Sequence, residues 1–257
     1  MMVCMGQPHS VGHQCSSRLD LIIERGIGLA RPTVADLASV WSKTRAVRTC
    51  VRCGQRLGPG EETASGCGGC RAKGGILDGV ITLGPFEGLL ADGIRALKYR
   101  GRWELAEVLG GHLANAVEAF FADSLHSGDW VLVPMPMPFW RKVERGLDHA
   151  HLLARSCATR LGMKVIQPLR KAPCLPQASL SRTDRERAKK GDYRIRRRGT
   201  SGFGGKLPNL KGKSVILVDD VLTTGRSMSA AGSALKRLGP ASVHAAALAV
   251  STNRSPD

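Results

Sequence analysis

Val215-Ile216-Leu217-Val218-Asp219-Asp220-Val221-Leu222-Thr223-Thr224-Gly225-Arg226-Ser227 is the stretch on which the reading of this chain turns. Four aliphatic residues in a row suit a strand buried on both faces, and such strands belong to parallel sheets. The strand, over Ser214–Val218, is expected to end in two carboxylates. A short loop then leads to a helix over Ser227–Leu238, stopped by Gly239-Pro240. In an open parallel sheet, ligands gather beyond the carboxyl ends of the strands. A glycine-containing loop entering a helix there turns backbone N–H groups and the positive helix end toward a phosphate. Thr223, Thr224 and Ser227 add hydroxyl donors, and Gly225 lets the backbone approach closely. Asp219 and Asp220 are acceptors suited to a pair of vicinal sugar hydroxyls. Turns and helix caps use the same short polar residues, so an isolated Asp-Asp pair would mean only a turn.

Working outward, buried strands alternate with helices, the pattern of an α/β fold with a doubly wound parallel sheet. Strands are expected at Val80–Leu83, Trp130–Val133, Lys164–Gln167 and Ser242–Val250, and helices at Gly88–Leu97 and Asp148–Leu161. A longer helix is expected over Glu104–Phe121, with Leu105, Val108, Leu109, His112, Ala116 and Phe120 on one face. Residues 1–48 carry one weakly amphipathic stretch, Val34–Trp41, and form an extension. A cysteine knuckle over 49–75, a main domain over 76–252 and a tail over 253–257 follow.

The chain has 257 residues and 42% hydrophobic residues, enough to bury a core of ordinary size. No apolar run is long enough for a membrane span, since Val243–Val250 is broken by His244. The amino terminus lacks the charged start and apolar stretch of a secretory signal, which places the expected location in the cytoplasm. The net charge is +17, from 38 Lys and Arg against 21 Asp and Glu. Between Arg170 and Lys213 there are 14 Lys and Arg against 3 acids, a local net of +11. Such a segment favours polyanionic partners, phosphates or nucleic acid, although a genome rich in arginine codons produces the same bias.

Eight cysteines in a reducing compartment point to a metal rather than to disulfides. Cys50-x-x-Cys53 and Cys67-x-x-Cys70, 13 residues apart, are two hooks able to present four thiolates to one tetrahedral Zn²⁺. Four thiolates fill the coordination shell, so the ion would be structural. Redox-active pairs and inert thiols are the competing readings. Cys4, His9, His13 and Cys15 carry donor atoms without a recognised ligand spacing.

The loop quoted above resembles, nearly letter for letter, the 5-phosphoribosyl-1-pyrophosphate motif of type I phosphoribosyltransferases. That resemblance implies that Asp219 and Asp220 hold the ribose hydroxyls, directly or through Mg²⁺, and that Thr223, Thr224, Gly225, Arg226 and Ser227 wrap the 5-phosphate. Together with the cysteine hooks, the chain resembles the ComF family over about residues 50–250. Leu97-Lys98-Tyr99 with Gly101, Val133-Pro134-Met135-Pro136 and Arg145-Gly146-Leu147-Asp148-His149-Ala150 match its segments, and Leu169, Arg170, Gln177 and Arg187 match a fourth. Leu147, Asp148 and His149 stand where Phe, Asn and Gln are usual.

The resemblance implies a type I phosphoribosyltransferase fold with a hood over Lys171–Tyr193, where Gln177, Arg185, Arg187 and Lys189 close over the diphosphate. Arg141, Lys142 and Arg145, after the first core strand, are its candidate diphosphate cations, and Lys98 a further binding residue. Arg187 joins the two aspartates as a candidate catalytic group. Tyr193, Trp140 and Trp103 are candidates to stack on a base, or else core and rim aromatics. The implied reaction transfers phosphoribosyl to a nitrogen acceptor with pyrophosphate release. The alternative is a non-catalytic accessory of DNA uptake that binds phosphoribosyl compounds or single-stranded DNA.

Overall fold

The structure is a computed structural model that describes residues 50–52, 54, 57, 66–73, 75–122, 124–125, 129–171, 193–196 and 209–251. The expectations placed on 1–48, on Cys53 and on 253–257 lie outside them. In chain order the elements are α1 (Gly68–Lys73), β1 (Gly79–Pro85), α2 (Gly88–Tyr99), α3 (Leu105–Phe121) and β2 (Trp130–Pro134). Next come α4 (Phe139–Arg145), α5 (His149–Leu161), β3 (Lys164–Val165), β4 (Leu169–Lys171) and β5 (Tyr193–Ile195). The last are β6 (Ser214–Leu222), α6 (Arg226–Lys236) and β7 (Ser242–Val250).

Five strands pair in parallel in the order β1-β7-β6-β2-β3, and β4 and β5 form a separate antiparallel pair. The period of two along β6 divides its side chains between two layers. Ile216 and Val218 pack with α2, α3 and α5, through Ile94, Leu97, Leu109, Leu113 and Leu153. Val215 and Leu217 pack on the other face with Met228, Ala231 and Leu235 of α6 and with Leu169 and Tyr193 of the β4–β5 pair. Helices thus cover both faces of the sheet, as an all-parallel sheet requires.

Several expectations are corrected. The buried stripe of α3 is Leu105, Ala106, Leu109, Gly110, Leu113, Ala114 and Val117, whereas Phe120 is exposed and Val108, His112 and Ala116 are only partly covered. The helix meets α5 through its small residues: a Cβ on Gly110 would lie 2.6 Å from Ser156 Cβ. The stripe therefore follows the close approach and not the bulkiest side chains. β3 spans two residues rather than four, because Pro168 follows closely and cannot donate to a ladder. α6 starts at Arg226, one residue early, since Gly225 caps it in the left-handed region at φ 68°. The short α1 and α4 and the β4–β5 pair have no counterpart among the expected elements.

The largest correction concerns β6, which does not stop before the acidic pair but runs through it to Leu222. Its two neighbours leave it at different points. Pairing with β2 ends at Pro134↔Val218, whereas pairing with β7 continues to Leu222↔Val250. From β2 the chain turns through α4 and α5 to β3, and from β6 through α6 to β7, on the opposite side. Between the carboxyl ends of β2 and β6 the connections diverge, and a crevice opens at such a switch point.

Candidate functional site

The crevice is floored by the part of β6 that β2 no longer covers. The carbonyl of Val218 still accepts from Met135 N–H at 2.8 Å, so it faces β2. Two residues on, the N–H of Asp220 points the same way but has passed the end of that strand. It donates instead to Asp219 Oδ1 at 2.9 Å. The Asp219 carboxylate thus takes up a backbone group that the sheet leaves unmatched, which sets its own orientation.

Alternation sends the two aspartates to opposite faces. Asp220 lies on the side of α2, only 8% exposed, and its Oδ1 is 2.8 Å from Nζ of Lys98 in the last turn of that helix. Asp219 lies on the side of α6 and the β4–β5 pair. Burial, and secondarily the neighbouring Asp220 carboxylate, push its carboxyl up to about 7, against the opposing pull of the Asp220 N–H and the Lys98 and Lys171 ammonium groups.

Lys171 and Tyr193 come from the antiparallel pair, where they are cross-strand partners. The Lys171 ammonium lies 5.7 Å from the centre of the Tyr193 ring. Tyr193 is 6% exposed, with its hydroxyl beside the side chain of Ser227. Burial raises its pKa, which keeps the phenol neutral. A ring so enclosed is not free to stack on a base, so that expectation for Tyr193 is withdrawn. Trp103 and Trp140 remain 61% and 56% exposed.

The residues expected to hold a phosphate lie between β6 and α6. Thr223, Thr224, Arg226 and Ser227 are exposed at the mouth, and Gly225 is buried beneath them. An L side chain at Gly225 would strain a backbone at φ 68°. Its carbonyl accepts from Ser229 N–H at 2.8 Å, which opens α6 and leaves the amides of the first turn facing the loop.

Of the candidate diphosphate cations, Lys142 is held by Asp148, Nζ to Oδ2 at 2.5 Å. Asp148 is the N-cap of α5, accepting from His151 N–H at 3.2 Å. Asp148 thus has a structural role here, as a cap and as the partner of Lys142. The Arg141 guanidinium lies 5.1 Å from the Trp140 ring centre, and its charge acts on Tyr193. Arg145 closes α4. Gln177, Arg185, Arg187 and Lys189 lie outside the described residues. Lys171 was missed as a site residue. At the edge of a segment with 14 basic residues it carried no distinguishing signal, and only its pairing opposite Tyr193 brings it to Asp219.

A second constellation brings Cys50, Cys67 and Cys70 together, their Sγ atoms all within 4.8 Å of one another. Cys50 is fully buried, and its sulfur accepts from the N–H of Cys67 at 3.1 Å and of Arg52 at 3.4 Å. Thiolates around one tetrahedral zinc sit about 3.8 Å apart, as follows from a Zn–S distance of about 2.3 Å. The three sulfurs could therefore bind a metal after a small contraction. The turn they stabilise abuts the main sheet, since a Cβ on Gly54 would lie 2.2 Å from Leu222 Cδ2.

A doubly wound parallel sheet with an acidic pair on its switch-point strand, running into a hydroxyl-rich loop and a helix, defines a type I phosphoribosyltransferase fold. Residues 176–256 match the family model of the phosphoribosyl transferase domain. No curated protein sequence matches the chain. Among solved structures the chain is similar to TT1426 from Thermus thermophilus, at 20% identity and a TM-score of 0.36, over 59% of this chain and 85% of that one. It is also similar to a purine phosphoribosyltransferase from Pyrococcus horikoshii, at 17% identity and TM-score 0.32, covering 57% and 76%. A third likeness is to glutamine phosphoribosylpyrophosphate amidotransferase from B. subtilis, at 18% identity and TM-score 0.30, covering 55% of this chain and 25% of that one. At these values the likenesses bear on neither substrate nor mechanism. Among the described residues no helix is long and apolar enough to cross a membrane.

Proposed function

We propose that the protein is a ComF-like phosphoribosyltransferase that binds 5-phosphoribosyl-1-pyrophosphate with Mg²⁺ in the β2/β6 crevice and transfers phosphoribosyl to a nitrogen acceptor. The observation that carries this reading is the acidic pair on the uncovered end of β6, three residues before the Thr223–Ser227 loop. A carboxylate pair beside a helix amino terminus offers acceptors for hydroxyls and donors for a phosphate at matching ends of one sugar. Asp219 and Asp220 are hard oxygen donors of the kind Mg²⁺ takes, and bound there the ion would neutralise charge on the diphosphate.

The residues divide the work. The α6 amides, Thr223, Thr224 and Ser227 hold the 5-phosphate, while Asp219 and Asp220 orient the ribose. Lys98 pairs with Asp220 and holds its carboxylate in place, and Lys171 and Arg141 supply positive charge where the diphosphate leaves. No covalent nucleophile is needed, because the reaction displaces pyrophosphate at the anomeric carbon and positioning supplies most of the rate. Cys50, Cys67 and Cys70, with Cys53, hold a structural Zn²⁺.

The test is to incubate the protein with Mg²⁺, phosphoribosyl pyrophosphate and a panel of nucleobases, ammonia and glutamine, measuring pyrophosphate release. Acceptor-dependent release that disappears in Asp219→Asn/Asp220→Asn is expected. Absence of both release and phosphoribosyl pyrophosphate binding would overturn the reading. Zinc analysis of Cys50→Ser and Cys67→Ser tests the knuckle, and unchanged metal content in both variants removes it.

A further inference from the structure

Lys171 and Tyr193 reach the site from the two legs of the β4–β5 pair, a ladder of only three residues a side. Two isolated three-residue strands do not hold their position in water. Beyond their packing on α6, they are tied at the base by Arg196. Arg196, just after β5, donates from its backbone N–H to Pro168 O at 2.8 Å and from Nε to Leu169 O at 3.0 Å. Its Nη2 donates to Gln167 Oε1 at 3.4 Å. Gln167 in turn lies against His151 on α5, Nε2 to Nδ1 at 2.8 Å.

The donor rules leave one arrangement for this chain of contacts. A guanidinium only donates, so the Gln167 atom facing Arg196 is the oxygen. The amide nitrogen then faces His151 and donates, so Nδ1 must be a bare acceptor and the imidazole proton sits on Nε2. A neutral ring fits its surroundings: burial is the largest influence and lowers the His151 pKa, Arg155 and Lys142 lower it further, and Asp148 opposes them. From His151 the contacts continue through its backbone N–H to Asp148, and from Asp148 to Lys142 of α4.

We propose that Gln167, with His151 and Arg196, is a positioning relay that fixes the base of the β4–β5 pair to the start of α5 and thereby sets Lys171 and Tyr193 over Asp219 and Ser227. Its functional consequence rests on the ribose-phosphate reading proposed above. The relay joins three segments distant in sequence, around 142–151, 167–171 and 193–196.

The experiment uses the full chain and three readouts. Gln167→Leu should speed amide hydrogen exchange of peptides covering 169–171 and 193–196 by about tenfold, while the α3 peptide exchanges at the wild-type rate. Nitrogen-15 NMR should find wild-type His151 unprotonated at Nδ1. In Gln167→Glu, which still accepts from Arg196 but offers His151 only acceptors, the proton should move to Nδ1 and the protection should return. Phosphoribosyl pyrophosphate with Mg²⁺ should bind Gln167→Leu about tenfold more weakly than wild type.

Wild-type exchange in Gln167→Leu, or a protonated Nδ1 in the wild-type protein, overturns the relay. If Gln167→Leu does not fold, Arg196→Met breaks the same chain at its half-buried end and is read the same way. Failure of the wild-type protein to bind phosphoribosyl pyrophosphate, with the exchange and NMR results as expected, removes the ribose-phosphate reading and leaves the relay standing.

Discussion

Lys98 Nζ lies 2.8 Å from Asp220 Oδ1, and the two side chains keep only 16% and 11% of their exposure. The pair joins the last turn of α2 to the strand that carries the acidic dyad, so charge balance at the site depends on that helix. Lys98→Met leaves an enclosed carboxylate without its cation. The expected cost is about 3–5 kcal/mol, as seen when one partner of a buried pair is removed. Denaturant titration checks this, and wild-type stability in the variant would show the pair to be dispensable.

Asp219 gives the protein a pH dependence of defined sign. Its carboxyl holds a proton up to about 7 in the folded state, against an ordinary value of 3.8. The folded state therefore binds the proton more tightly than the unfolded chain. The stabilisation is fully present below the unfolded value and is lost as pH rises through about 7. Asp219→Asn cannot ionise and escapes this loss. Denaturation midpoints should show the variant gaining on wild type from the ordinary value of 3.8 up to about 7; parallel curves across that range would refute the shift.

Gly110 marks the closest approach of α3 to α5. A methyl group there meets Ser156 Cβ at 2.6 Å, Ser156 Oγ at 2.7 Å and Leu153 O at 3.0 Å, and Ser156 Oγ already donates to Glu107 O at 2.8 Å. Gly110→Ala should destabilise by about 1–3 kcal/mol through overpacking. Adding Ser156→Gly should recover part of this in thermal unfolding. Equal stability of the single and double variants would place the strain elsewhere.

Cys157 offers a contrast with the knuckle. It is fully buried on α5, and burial pushes its thiol up to about 12. Thiolate is the reactive form. Iodoacetamide at neutral pH should leave Cys157 unmodified in the native protein and label it after unfolding, with mass spectrometry of the 149–161 peptide as the readout.

The strands β2, β6 and β7 and the helices α2, α3, α5 and α6 were legible because unbroken aliphatic runs and helical spacing are strong local signals. The acidic pair and its loop were singled out for a different reason, their resemblance to a known motif, and the structure sets them at the end of β6 and the start of α6. What local pattern does not carry is long-range pairing. Lys98 and Asp220 are 122 positions apart, and Lys171 acquires its role only through Tyr193 across a three-residue ladder. The expected face of α3 lay partly off the buried one, because helical spacing alone does not show that close packing on α5 selects Gly110 and Ala114.

The unequal pairing of β6 has a consequence for how a ligand is received. Residues 219–222 make a ledge about 13 Å long at the usual rise per residue, with one flank bonded to β7 and the other open. A molecule seated there docks against a backbone already rigid along its far side. The ordering entropy of the binding surface is thus spent during folding rather than at each encounter, and affinity need not be divided between gripping a ligand and assembling the grip.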